Sequence, residues 1–294
     1  MSRFRFDWVD AFTGHAFGGN GCAVVHDGAV LPVETCMAFV RETSLVECTF
    51  TGPSDIADVR VRYFLASREI PFAGHPTIAT VAAMRARGLV TGDSLTLETG
   101  AGVVAIRLDG DLIEMTQVAP RFGVEVDPAL AARVVGLSPE DVVGTPQLIS
   151  TGLPFVITVL CDHAALRAAR LNIGALDDLG RVTGGSANMS EPFLVTLQGA
   201  TDEGDTFSRL LLAPPSPPED PFTGSATGAM AAYLWAHGLM QKDSFIAEQG
   251  HWLGRPGQAR VTRVGPVDSM AGIRVAGEGF VLMSGEVSLP DTAG

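Results

Sequence analysis

The chain has 294 residues, 46% hydrophobic and 18% charged, enough for one large domain or two of medium size. Its formal net charge of −13 repels polyanions, which argues against nucleic acid or an anionic membrane as a partner. No apolar run reaches the roughly 18 residues of a membrane span, and the N-terminus lacks the unbroken apolar core of a secretory signal.

The first predicted element is a strand in FDWVDAF (6–12). GGNGCAVV (18–25) is rich in glycine but lacks the G-x-G-x-x-G spacing, and a turn leading into a strand explains it equally well. LVECTF (45–50) sets Glu47 among apolar residues. A β-rich run, VRVRYFLA (59–66), precedes a Pro/Gly turn and a helix near 76–87. There His75 occupies the expected N-cap and Pro76 the first helical position, where its missing N–H costs nothing. SLTLETG (94–100), GVVAIRL (102–108) and LIEMTQ (112–117) read as further strands. APRFG interrupts the pattern near 119–125 and marks a boundary, giving halves of 1–120 and 121–294.

The second half contains the strand patterns FVITVL, PFLVTLQ, FSRLLLA, FIAEQG, ARVTRVG, GIRVAG and GFVLMSG, the last of which could return to the first half. Its helix is expected near 226–237, with Ser225 as the N-cap. Both helices are apolar nearly all round, which predicts burial, and Gly88 and Gly238 stand where the residue just past a helix end belongs. The four cysteines (Cys22, Cys36, Cys48, Cys161) lack paired ligand spacing and are expected as buried small side chains in a cytoplasmic protein.

The chain also repeats itself. Residues 69–100 and 219–250 align without a gap at an offset of 150, with 14 of 32 positions identical. Among the matches are Glu69 with Glu219, Phe72 with Phe222 and Gly74 with Gly224. Many short strands around one buried helix, twice over, predict an α+β fold of two pseudo-symmetric halves, each a curled, mostly antiparallel sheet around a central helix. Two helix N-termini facing one cleft would offer free N–H groups and positive dipole ends to a small carboxylate from both sides.

No P-loop and no G-x-S-x-G elbow occurs, and no H-E-x-x-H or Cys/His cluster signals a metal. Of six scattered histidines, His75 stands out because it opens a buried helix inside the repeat. Glu47 fits a carrier that must take a proton from one carbon and return it to another, because burial raises the pKa of a carboxyl toward neutral. An ordinary strand-end glutamate is the alternative. Asp220, just before a helix, could equally compensate the helix dipole, as could Glu219.

The segments VDAFT (9–13), GGN…AVV (18–25), ECTF (47–50), RYF…REIPFAGHPTIAT (62–80), STG (150–152), EDPFTGSATG (219–228) and QG…LGRP (249–256) come in the order seen in PhzF-type phenazine-biosynthesis proteins, which the chain resembles over roughly residues 6–287. The resemblance implies the diaminopimelate-epimerase-like fold. It also implies a metal- and coenzyme-independent isomerase acting on a small carboxylate, such as trans-2,3-dihydro-3-hydroxyanthranilate, and a homodimer. On the family's motifs, Glu47 is the proton carrier, with His75 and Asp220 as further catalytic groups. Gly74, Gly224, Ser225 and Asn20 are substrate contacts. Val46 and Cys48 flank Glu47 where the family has Ser and Thr, and Gly21 replaces the proline of the G-N-P turn.

Two rivals remain. Amino-acid racemases of this fold carry a cysteine before each helix-start glycine, where this chain has Ala73 and Thr223. Ala73 cannot carry a proton, so two-thiol racemisation is excluded as far as the correspondence holds. The other rival is a small-acid-binding protein that kept the cleft and lost turnover.

Overall fold

The structure is a computed structural model that describes residues 1–184, 191–214 and 216–290. Its elements run β1 (Ser2–Ala11), β2 (Asn20–Val25), α1 (Val33–Thr43), β3 (Glu47–Gly52), β4 (Val59–Phe64), β5 (Glu69–Ile70), α2 (Gly74–Ala86), β6 (Ser94–Thr99), β7 (Gly102–Asp109) and β8 (Leu112–Gln117). They continue with β9 (Arg121–Glu125), α3 (Pro128–Val134), β10 (Val142–Ser150), β11 (Pro154–Leu160), α4 (His163–Ala168), α5 (Ile173–Thr183), β12 (Glu191–Thr196), β13 (Thr206–Leu211) and β14 (Glu219–Asp220). The last are α6 (Gly224–Ala236), β15 (Ser244–Gln249), β16 (Gly257–Val264), β17 (Gly272–Gly277) and β18 (Gly279–Leu289). The fold is mixed α and β with curled sheets. Among the described residues no helix is long and apolar enough to cross a membrane.

The chain forms two compact units, one of Met1–Met115 with Ala276–Gly294 and the other of Thr116–Val275. In the first unit β18 and β2 flank β1 antiparallel, β3 joins β2 in parallel, β4 is antiparallel to β3, β6 parallel to β4, and β7 antiparallel to β6. In the second unit β10 to β11 is antiparallel, β11 to β12 parallel, β12 to β13 antiparallel, β13 to β15 parallel and β15 to β16 antiparallel. The sequence of pairings is the same in both. Each unit also carries a two-residue strand, β5 or β14, just before its buried helix.

Strand alternation sorts side chains to the two faces of each sheet. Along β3, Cys48 and Phe50 join Cys36, Phe39 and Val40 of α1 in one core layer, in which the Phe39, Phe50 and Phe64 rings meet edge to face. Glu47 and Thr49 take the opposite face. There the Thr49 hydroxyl meets that of Thr80 on α2 at 2.8 Å. In the second unit Leu194, Phe207 and Leu211 pack with residues of α3, α4 and α5. The other face carries Phe193 and Leu210, cross-strand neighbours of β12 and β13.

Both central helices are buried from the first turn, α2 over Gly74–Met84 and α6 over Gly224–Trp235 except Ser225. Gly88 and Gly238 follow their last turns at φ 68° and 66°, the left-handed geometry expected past a helix end. The starts differ from the sequence reading. Ala73 and Thr223 are the N-caps, placing His75 and Ser225 inside the first turn, and neither N-cap side chain caps its helix. The extended residue sits before the glycine, since Gly74 and Gly224 already hold helical geometry, and Pro76 is still early enough to lack a helical partner.

Three further corrections concern the periphery. Residues 121–125 are not an interruption but the exposed strand β9, paired with β10. Cys161 is exposed, because it follows β11 as the chain turns toward α4, whereas Cys22, Cys36 and Cys48 are buried. The outer helices α1, α3, α4 and α5 add a layer to the expected plan of one helix per half.

Candidate active site

In the first unit, Asn20 opens β2 and Glu47 opens β3, the parallel strand beside it. Cys22 and Glu47 are cross-strand partners. His75 projects from the first turn of α2, with Nδ1 3.6 Å from Glu47 Oε2 and 3.4 Å from Asn20 Nδ2. Three residues singled out in the sequence, separated by up to 55 positions, thus meet in one cluster. Gly74 is buried beside His75 at the helix start.

Burial dominates the electrostatics. The His75 side chain is 7% exposed and desolvation lowers its pKa to about 3, so the ring is neutral at physiological pH. Its contact with Glu47 is therefore a carboxyl beside a neutral imidazole, and 3.6 Å is longer than a hydrogen bond. With Asn20 Nδ2 as donor, His75 Nδ1 accepts and the ring proton sits on Nε2, an assignment that follows from the hydrogen-bond network. Nε2 is buried and has no hydrogen-bond partner among the described residues, which leaves an N–H available to a ligand. Glu47 itself is 15% exposed, shielded from bulk water yet reachable. Burial, with smaller repulsion from Cys48 and Glu47, pushes the Cys22 thiol well up, so this neighbour of Glu47 stays protonated.

The second unit has its own polar cluster at the start of α6. The Thr223 hydroxyl donates to Asp220 Oδ2 at 2.5 Å. Gln249 holds the same turn from β15: its Nε2 donates to the Asp220 carbonyl at 2.8 Å and to Thr223 Oγ1 at 3.2 Å, and its Oε1 accepts from the Thr223 N–H at 3.1 Å. Asp220 is buried, Gly224 is buried and Ser225 is half-buried. Glu219 makes a bidentate ion pair with Arg209, at 2.7 and 3.0 Å, and Glu69 pairs likewise with Arg62 in the first unit, at 2.7 and 2.8 Å. These glutamates brace the turns that precede the two helices, a structural role for an identity in the repeat.

Glu191 escaped the sequence reading. Phe193, Leu210 and Asp220 align across β12, β13 and β14, and Glu191 stands two residues before Phe193, so Glu191 and Asp220 share a sheet face. Burial and then the Asp220 charge raise the Glu191 carboxyl to about 7. The one local signal was an acid opening the apolar run EPFLVT. Cys22 was noticed, but its register opposite Glu47 depends on strand pairing that local sequence does not display. Among the described residues, no group of three or more metal-ligating side chains occurs.

A family model described as phenazine biosynthesis-like protein (PhzC-PhzF) matches residues 9–285. The uncharacterized isomerase YddE of Salmonella typhimurium is 30% identical over 292 residues, covering 95% of this chain and 96% of that protein. Trans-2,3-dihydro-3-hydroxyanthranilate isomerase of Pseudomonas aeruginosa is also 30% identical over 292 residues, covering 97% and 99%. The crystal structure of the Bacillus anthracis phenazine biosynthesis protein of the PhzF family superposes with a TM-score of 0.87 at 26% identity, covering 98% of this chain and all of that one. With motifs, topology and relatives in agreement along nearly its whole length, the chain belongs to the PhzF family and is an isomerase.

Proposed function

We propose that the protein moves a proton between carbons of a small unsaturated carboxylic acid of the trans-2,3-dihydro-3-hydroxyanthranilate type, with Glu47 as the single proton carrier. The observation behind this reading is the cluster of a shielded Glu47 and a buried, neutral His75 braced by Asn20. Ionised Glu47 takes a proton from an allylic carbon. The C–H electron pair becomes a new π bond, the existing π bond shifts, and the terminal carbon receives the proton back from the Glu47 carboxyl. Proton count and charge are unchanged, and one carboxyl on one face suffices. Because its pKa lies far below neutral, His75 does not compete as a base, and its Nε2–H can donate to a substrate oxygen. Ala73, standing where a thiol racemase needs its cysteine, favours this route over a two-base one.

Asp220 is assigned to a polar contact with the substrate, and the backbones of Gly74 and Gly224 with Ser225 to binding its carboxylate. The first-turn N–H groups of α2 and α6, which their N-cap side chains leave uncapped, suit that task. The 150-residue offset and the shared order of pairings are read as an internal duplication. A homodimer, testable by sedimentation, and action in the cytoplasm complete the proposal.

The test is incubation with trans-2,3-dihydro-3-hydroxyanthranilate in heavy water, followed by NMR. Isomerised product with deuterium at the carbon that gains hydrogen is expected. Recovery of unchanged, unlabelled starting material would defeat the substrate assignment.

A further inference from the structure

The geometry points to Gln117 and Thr151 as positioning residues that fix the first turn of α6. The inference rests on the proposed role of Gly224 and Ser225 in binding the substrate carboxylate. Gln117, the last residue of β8, donates from Nε2 to the Gly224 carbonyl at 2.8 Å. Its Oε1 accepts from the Thr151 hydroxyl at 2.5 Å. The Gly224 carbonyl fixes the amide orientation, since a flipped amide would set its oxygen against that carbonyl, and the Thr151 hydroxyl, free to rotate, supplies the proton that Oε1 accepts. Thr151, just past β10, also lies 3.5 Å from the Ser225 carbonyl, so one short chain of polar groups touches both helix-start residues.

Gly228 supplies an independent observation. A Cβ there would fall 1.9 Å from Gln117 Oε1 and 2.6 Å from its Cδ, so the Gln117 amide fills the space an ordinary side chain would take. The equivalent position in the first repeat is Ile78, fully buried on α2. Glycine is tolerated inside α6 despite its cost in a helix because the clamp passes through that gap. The Thr223 hydroxyl bonds to the Asp220 carboxylate, and Gln249 to both residues, a set of hydrogen bonds that does not include Gln117 or Thr151. Their polar contacts converge on the backbone that is to meet the substrate.

The test compares Gln117→Met, Thr151→Val, Thr151→Ser and the Met/Val double variant, assayed with trans-2,3-dihydro-3-hydroxyanthranilate. Loss of a neutral hydrogen bond corresponds to roughly a 3–10-fold effect. We expect KM to rise by that factor in Gln117→Met and Thr151→Val with kcat nearly unchanged. The double variant should be no worse than either single one, and Thr151→Ser should behave as wild type. Unchanged KM, additive losses, or failure of Thr151→Ser to preserve KM would overturn the inference. Hydrogen exchange of the amides at 224–228 gives a readout that needs no substrate: it should accelerate in Gln117→Met, Thr151→Val and the double variant, and stay at the wild-type rate in Thr151→Ser. If wild type ignores the compound, the substrate assignment fails, while unchanged exchange in both variants would still refute the clamp.

Discussion

At the scale of single residues, the site depends on what burial does to His75. Its pKa falls from about 6.5 in the unfolded chain to about 3 in the fold, so between these limits the unfolded state binds more protons. Stability attributable to this residue is therefore present above pH 6.5 and lost as the pH falls toward 3, by at most about 1.4 kcal/mol per pH unit. Urea unfolding of wild type and His75→Gln at successive pH values should show the steeper acid loss in wild type; parallel curves would contradict the depressed pKa. Glu191 has the opposite sign. Its carboxyl, raised to about 7, binds protons in the fold that the unfolded chain releases above about 4.5, so its contribution declines as the pH rises through 7. Glu191→Gln should flatten that decline, and a variant that tracks wild type across pH 4.5–7 would argue against a protonated Glu191. Glu47, His75 and Asp220 could be singled out in the sequence because each lies in a short motif. Glu191 was not, because its relation to Asp220 comes from the register of three strands.

Among elements, the repeated strand–helix units could be read from the sequence, and the outer helices were passed over. The signals existed. Buried Cys36, Phe39 and Val40 follow the three- and four-residue spacing of an amphipathic helix, and the Asp127, Asp162 and Asn172 side chains accept N-cap hydrogen bonds at 2.8–3.3 Å. A search for helices apolar all round overlooks helices with only one buried face. The far end of α2 shows a different dependence on distant residues. Arg87 grips Asp7 of β1 through Nε and Nη2 at 2.6 and 2.9 Å, and the same carboxylate accepts from His26 at 2.7 Å and Ser284 at 2.5 Å. Burial raises the Asp7 pKa, but these hydrogen bonds outweigh it and hold the carboxyl below its usual range. Arg87→Met should leave a buried carboxylate short of its main partner and destabilise the protein by about 3 kcal/mol in urea unfolding. A change under about 0.5 kcal/mol would show that His26 and Ser284 suffice.

For the whole molecule, a gapless match of 32 residues announced two similar halves, and both units follow one order of strand pairings. Local sequence conveyed composition and period; it could not convey that Asn20, Glu47 and His75 converge, since loop lengths and pairing registers decide that. If one shielded carboxyl carries the proton, turnover must depend on Glu47, and kinetics of Glu47→Gln show whether it does. Circular dichroism and thermal unfolding would first establish that the variant is folded. With trans-2,3-dihydro-3-hydroxyanthranilate as substrate, kcat should then fall by about 10²–10⁴-fold, the usual worth of a positioned acid–base group. A folded Glu47→Gln protein that isomerises the compound at the wild-type rate would rule out Glu47 as the proton carrier.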